Sequence, residues 1–291
     1  MTRQTRGLRR SGAALLVLSL SPILWLSHVS PAYSWDSRTH KLIVRLALGG
    51  LPSGVVKTAF AQNSLQLQEF AVEPDTVLRP LYGDAEGRRH YIDLENFGAD
   101  PFARLTPNFA TMQREVGVAT LERSGTLPWA IEDEAAQMTA AWRGGDCAMI
   151  LRHAGYLAHY VGDASQPLHT TKFFDGYTAA DRGSHHRLES SVDYRVADFE
   201  TMDSGQIHAE PITSVWSAVI AELQQSNSLV QSTIAADQIV RAATTNRTAF
   251  TDALITREGL MVARQLADGA TVLASIWLFE WNQAGEPLLC S

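Results

Sequence analysis

Apolar residues that recur every three or four positions, over long stretches, constrain this chain more than any other feature. The pattern runs through THKLIVRLALGGL, VVKTAFAQNSLQLQEFAV, PWAIEDEAAQMTAAWRGG and CAMILRHAGYLAHYVGD. It continues in SHHRLESSVDYRVADF, SVWSAVIAELQQSNSLVQ, IAADQIVRAATTNRTAF and LMVARQLADGATVLASIWLFEW. Such spacing places one apolar stripe along a helix, whereas a half-buried strand needs strict alternation, which is scarce here. The expectation is an all-α chain. Asp36 and Asp146 stand where helix N-caps are wanted. Turn formers gather around residues 74–110 and 170–184. No internal repeat, low-complexity block or linker divides the sequence, so one mainly helical domain is expected. A content of 45% hydrophobic and 19% charged residues excludes disordered, collagen-like and coiled-coil classes.

The first 34 residues read differently. MTRQTRGLRR is basic, GAALLVLSLSPILWLSHV is apolar, and PAYS puts Ala32 and Ser34 in a small-x-small pattern. This is the layout of a signal peptide with its cleavage site, and Pro22 inside the apolar run weighs against an uncut anchor. The expected division is a signal peptide over 1–34 and a domain over 35–291, secreted or periplasmic, with no further membrane segment. The formal charge is −7, and residues 1–34 carry four arginines and no acid. Their removal leaves 20 basic against 31 acidic residues, a charge of −11. A surface this acidic is a poor general binder of nucleic acid, although bound cations can dominate the field of a local site. Export into an oxidising compartment would permit Cys147 and Cys290 to pair, but spacing alone does not join them. Two cysteines are too few for a cysteine-rich zinc module.

Eight of the nine histidines lie after residue 34, and their placement carries the chemistry. In LAHYVGDASQPLH, His159 and Asp163 are four apart on one helix face; the chain leaves the helix at Pro167 and returns His169. In GSHHRLE, His185 and Glu189 form a second such pair. Neutral imidazole and carboxylate are the ligands that suit zinc where thiolates are lacking. Taken singly, each pair reads as a surface hydrogen bond or a helix-end charge feature. Taken together, two pairs flanking His169, with Asp75 and His90 upstream and His40 five residues after Trp35, read as a metal site. His153 reads as a packed, hydrogen-bonded residue, while His186 and His208 lack an acidic partner on their own face. Asp193 continues the His185/Glu189 face as a supporting or solvent residue.

This ordered series from Trp35 to Glu189, above all HYVGDASQPLH, resembles the superfamily of bacterial zinc-dependent phospholipases C and single-strand-specific nucleases of fungi and plants. The resemblance implies a mainly helical domain with a trinuclear zinc cleft. Asp75, His90, His159 and Asp163 would hold the first zinc, and His169, His185 and Glu189 the second. His40, a shared Asp163 and the α-amino and carbonyl groups of Trp35 would hold the third. That amine is free only after residues 1–34 are removed. Three divalent ions would make a positive pocket in an acidic protein and activate a water, with Asp75 as the group that orients or deprotonates it. Asp84 is an alternative to Asp75, but the longer spacing to His90 matches the superfamily better. Nucleases of this group place an arginine three residues after that aspartate; here Leu78 stands there and Arg79 follows, which weakens Arg79 as a phosphate contact.

The motifs divide on substrate. The short Trp35–His40 interval and QPLH are nuclease-like, whereas GSHHRLE, with Glu189 in place of the nuclease aspartate, is phospholipase-like. Tyr91 and Asp93 are weak substrate-binding candidates, able to stack on and bond a base or to receive a quaternary ammonium. The expectation is a phospholipase C-like phosphodiesterase acting on phospholipid head groups. A single-strand-specific endonuclease or 3′-nucleotidase is the alternative, and a zinc-binding protein without turnover a third. No protein partner is inferred.

Overall fold

Burial on every face, rather than along one stripe, singles out the central helix. The computed structural model describes residues 1–2, 35–201 and 206–287. Residues 3–34, which contain most of the expected signal peptide with Ala32 and Ser34, lie outside the described residues, as does Cys290. The backbone divides into two units, residues 1–31 and 32–291. Eight helices of the second unit position the candidate site. They are α1 (Ser37–Gly50), α2 (Ser64–Phe70), α3 (Leu127–Gly144), α4 (Cys147–Ala164), α5 (Ser184–Tyr194), α6 (Val215–Ser228), α7 (Val230–Ala243) and α8 (Arg247–Gln283). No strand occurs among the described residues, so the fold is all-α.

Every residue from 154 to 171 is buried, covering the second half of α4 and the turn after it. A helix enclosed on all sides needs partners all round, and α4 packs on α1, α2, α3, α6 and α8. Two glycines allow the closest of these approaches. A Cβ at Gly155 would lie 2.3 Å from Phe70 Cβ of α2, and one at Gly162 would lie 3.0 Å from His40 Nδ1 of α1. Asp146 caps α4 by accepting a hydrogen bond from the Met149 amide at 3.1 Å, as its position predicts. The helix ends at Ala164. Gln166 then accepts from the Leu168 amide at 2.5 Å, and Pro167–Thr170 form a 3₁₀ turn that carries His169.

Elsewhere the structure corrects the periodicity. The expected single helix over 55–72 breaks at Asn63, whose side-chain amide donates to Ala59 O at 2.8 Å, leaving Val55–Gln62 and α2 as separate pieces. The segment read as one helix over 184–199 breaks at Arg195. At the C-terminal end, the turn at 244–246 interrupts the expected helix over 234–250, and Asn246 caps α8 through the Ala249 amide. The loop-rich 74–110 stretch is wound into short helical turns, among them Pro74–Leu78, Arg79–Tyr82 and Arg88–His90. Asp36 does precede α1, but its side chain makes no capping bond. Asp193 of α5 caps it instead, accepting from the Arg38 and Thr39 amides at 2.8 and 3.2 Å. Among the described residues no helix is long and apolar enough to cross a membrane.

The close α2–α4 approach generates a test. Gly155→Ala should lower stability by about 1–3 kcal/mol through overpacking against Phe70, seen as a lower urea midpoint with an unchanged slope.

Candidate metal centre

The central helix and its turn present His159, Asp163 and His169; α1 brings His40, α5 brings His185 and Glu189, and the 74–90 segment brings Asp75 and His90. All eight side chains converge. Asp163 is fully buried at their centre. Its Oδ2 lies 3.1 Å from His90 Nδ1 and 3.4 Å from His159 Nε2. Its Oδ1 lies 3.6 Å from both His40 Nε2 and His169 Nδ1. Asp75 closes the first set, with Oδ1 3.7 Å from His90 Nδ1 and Oδ2 3.9 Å from His159 Nε2. The rings of His40 and His159 stack at 4.0 Å, and donor atoms of His40, Asp75 and His159 fall within 4.8 Å of one another. In the second set, His169 Nε2 lies 2.8 Å from His185 Nε2 and 3.1 Å from Glu189 Oε1, and His185 Nε2 lies 2.6 Å from that same oxygen. Asp84 is exposed and takes no such part, so of the two candidate carboxylates it is Asp75 that joins the cluster.

Main-chain carbonyls decide which nitrogen faces inward. His159 Nδ1 donates to Ala71 O at 2.8 Å, and His169 Nδ1 donates to His90 O at 2.6 Å. Each bond puts the proton on the outer nitrogen and turns the Nε2 lone pair toward the cluster. Lone pairs and carboxylate oxygens therefore point at common centres. Tetrahedral zinc with donors near 2.05 Å holds them roughly 3.3 Å apart; the carboxylate–imidazole separations of the first set, at 3.1 to 3.9 Å, bracket that value, and the second set, at 2.6 to 3.1 Å, lies just inside it. Glu189 Oε2 is buried with no hydrogen-bond partner, which adds an unused donor. The donor chemistry fits divalent metal of the zinc type.

Electrostatics inside the cluster are strongly coupled. Burial holds the His40 and His159 imidazoles below the ordinary histidine range. Burial also pushes His90 down, but hydrogen bonds to Asp163 and Glu86 outweigh it and carry His90 up to about 9. For Asp163 and Glu189 burial acts upward, and the surrounding imidazoles prevail and keep both below the usual carboxylate values.

The remaining sequence candidates are distributed around this core. Trp35 is 1% exposed, with its indole held in the apolar core. Arg79 Nη1 lies 3.3 Å from Asp75 Oδ1. Tyr91 and Asp93 are half-buried beside His90, and neither joins the donor set. Tyr91 lies against Gly125, and burial, followed by the neighbouring Glu95, pushes the Asp93 carboxyl up to about 7. His153 Nδ1 donates to Glu134 Oε2 at 2.7 Å, in keeping with a packed role, while His186 is exposed and exposed His208 lies 3.2 Å from Glu210. Three supporting groups were not anticipated from the sequence: Glu86, facing His90; Gln166, whose amide donates to Glu189 Oε1 at 3.0 Å; and the Ala71 carbonyl. The i,i+4 spacing of Glu86 and His90 was the one available signal.

No protein-family model matches the sequence, and no curated protein does. Solved structures do match. The alpha toxin from Clostridium absonum aligns with a TM-score of 0.53 at 16% identity, over 89% of this chain and 67% of the toxin. The alpha-toxin of Clostridium perfringens avian strain SWCP gives 0.51 at 16% identity, over 88% of this chain and 67% of the toxin. The chain therefore has the helical fold of the clostridial alpha toxins.

Two outcomes test the donor set. His159→Ala and His169→Ala should each lower the zinc content of purified protein, measured by atomic absorption, by affecting different groups of ligands. Because His90 holds its proton up to about 9, zinc uptake at pH 8 should displace that proton, so affinity rises with pH toward 9. Calorimetry in buffers of different ionisation enthalpy reads the release directly; an enthalpy independent of buffer would contradict it.

Proposed function

We propose that residues 35–291 form an exported zinc-dependent phosphoric ester hydrolase of the phospholipase C type, and that residues 1–34 are its signal peptide. The observation that carries this reading is the convergence of eight side chains, drawn from five separate segments, in the order that the motif series of the zinc phospholipases C and nucleases has. Asp75, His90, His159 and Asp163 would hold one zinc, and His169, His185 and Glu189 a second. His40, Asp163 and the Trp35 main chain would hold the third, which requires cleavage at the Ser34–Trp35 bond. Burial of the Trp35 side chain supports this, since a core-anchored indole holds the new terminus in place.

Bound zinc would supply Lewis acidity and lower the pKa of a water from 15.7 to roughly 7. The protein groups do the rest. Asp75 has 15% of its side chain exposed, against 4% or less for the other seven, so it marks the open side of the cluster. There it would orient the attacking water and accept its proton. Arg79, beside it, would fix the carboxylate's direction. Attack would join the water oxygen to phosphorus and break the phosphorus–glycerol oxygen bond in line.

One feature favours lipid over nucleic acid. Between Asp75 and His90 the chain exposes Val77 (48%), Leu81 (66%) and Tyr82 (60%). This apolar rim suits a bilayer interface, where a tyrosine has both apolar and polar neighbours. The acidic balance of the exported chain disfavours a long polyanion. The Trp35–His40 interval and QPLH support the nuclease as the second reading, with Tyr91 and Asp93 as its base contacts.

Two experiments decide. Protein beginning at Trp35 should bind three zincs, and a form with one extra residue before Trp35 should bind two. The three-zinc protein should release phosphocholine from phosphatidylcholine vesicles and leave single-stranded DNA, RNA and 3′-nucleotides intact. The reverse preference selects the nuclease, and full zinc loading without any phosphoester cleavage selects a binding protein.

A further inference from the structure

The ligand-bearing face of His90 has a built support behind it. Its Nδ1 points into the cluster, 2.9 Å from His159 Nε2. Its Nε2 points outward, and the carboxylate facing it is Glu86 Oε1 at 3.4 Å. Glu86 is buried, which is unusual for a glutamate that serves only solubility. What holds it there is Tyr160, whose hydroxyl donates to Glu86 Oε1. Tyr160 follows His159 on α4 and is fully buried, and its ring packs edge-on against both His90 and His159, with centroids 5.5 Å away in each case. Arg89 completes the arrangement. Its Nε donates to the Tyr160 hydroxyl at 3.1 Å, and its Nη2 donates to Glu134 Oε1 at 2.5 Å, with His153 on the other Glu134 oxygen at 2.7 Å.

We infer that Glu86 and Tyr160 are positioning residues for the first metal group: Glu86 holds the outer nitrogen of His90 so that Nδ1 is aimed at the metal, and Tyr160 holds Glu86. The physical ground is that an imidazole ligand is fixed in tautomer and rotation by the bond its other nitrogen makes. Removing such a partner weakens metal affinity by about 10–100-fold. His159 and His169 take that bond from main-chain carbonyls; at His90 the outer nitrogen instead faces a side-chain carboxylate, Glu86 Oε1, in an ion-pair contact at 3.4 Å that is not a hydrogen bond, so its orientation is open to mutation. The hydroxyl of Tyr160 and the guanidinium of Arg89 oppose rotation of Glu86 away from the ring.

This inference rests on the metal reading proposed above, and the experiment separates the two. Zinc binding to full exported protein is measured by competition with a chromogenic chelator, and cobalt(II) substitution gives the visible ligand-field spectrum of the bound ions. Glu86→Gln should weaken one class of site by about 10–100-fold and leave the His169/His185/Glu189 class unchanged. Tyr160→Phe keeps the ring and should give a smaller loss at the same class, with an altered cobalt spectrum. Melting of the metal-free variants controls for folding; should Glu86→Gln fail to fold, Tyr160→Phe carries the test alone. If wild-type protein binds no zinc, the metal reading itself fails. If wild type binds zinc and both variants bind it with wild-type affinity, or lose both classes equally, the positioning role is overturned.

Discussion

A single buried carboxylate organises this molecule. Asp163 has no solvent exposure, and a charge so enclosed is tolerable only with partners on every side. One of its oxygens serves His90 and His159, and the other serves His40 and His169. Those partners come from α1, from α4 itself, from the turn at its end and from the 74–90 segment. The packing of these segments is therefore tied to the electrostatics of one side chain. The same convergence makes the cluster costly as bare protein, because imidazoles and carboxylates share a dry volume with only protons to balance them.

The apolar architecture serves that arrangement. With the second half of α4 buried on all faces, its polar side chains must find protein partners: His159 and Asp163 turn into the cluster, and Tyr156 and Tyr160 donate to Glu73 and Glu86. Gly162 lets the His40 ring approach the helix backbone. Asp193, rather than the adjacent Asp36, caps α1 and so ties the His40 helix to the helix that carries His185 and Glu189. Outward, the 76–85 stretch is exposed except at half-buried Leu78 and Arg79, while both ends of its loop, Asp75 and His90, are engaged at the cluster. Chemistry and surface thus meet on one short segment.

How much of this is legible in the sequence differs by level. The helical period, the α4 cap at Asp146 and the turn at Pro167 follow from local physics, since periodicity, side-chain capping and the missing proline amide act within a few residues. The donor types are equally plain, because His159/Asp163 and His185/Glu189 share helix faces at four-residue spacing. What local pattern does not supply are the breaks at Asn63 and Arg195, because the apolar period runs through both, and the capping role of Asp193, which is 155 residues from Arg38. Glu86 does not stand out either, because a lone acid four residues before a histidine is commonplace. Its significance comes from burial and from Tyr160.

The sequence by itself determined an all-α chain and the kinds of donor atoms it would present, because those depend on residue identity and short spacing. Only the tertiary structure decided that Asp75 rather than Asp84 reaches the cluster, and that Asp163 stands between two sets of imidazoles. It alone turned the inner nitrogens of His159 and His169 toward common centres. The reason is physical: convergence depends on how separate helices pack, and the direction of an imidazole lone pair is set by a main-chain carbonyl whose location no side-chain pattern encodes.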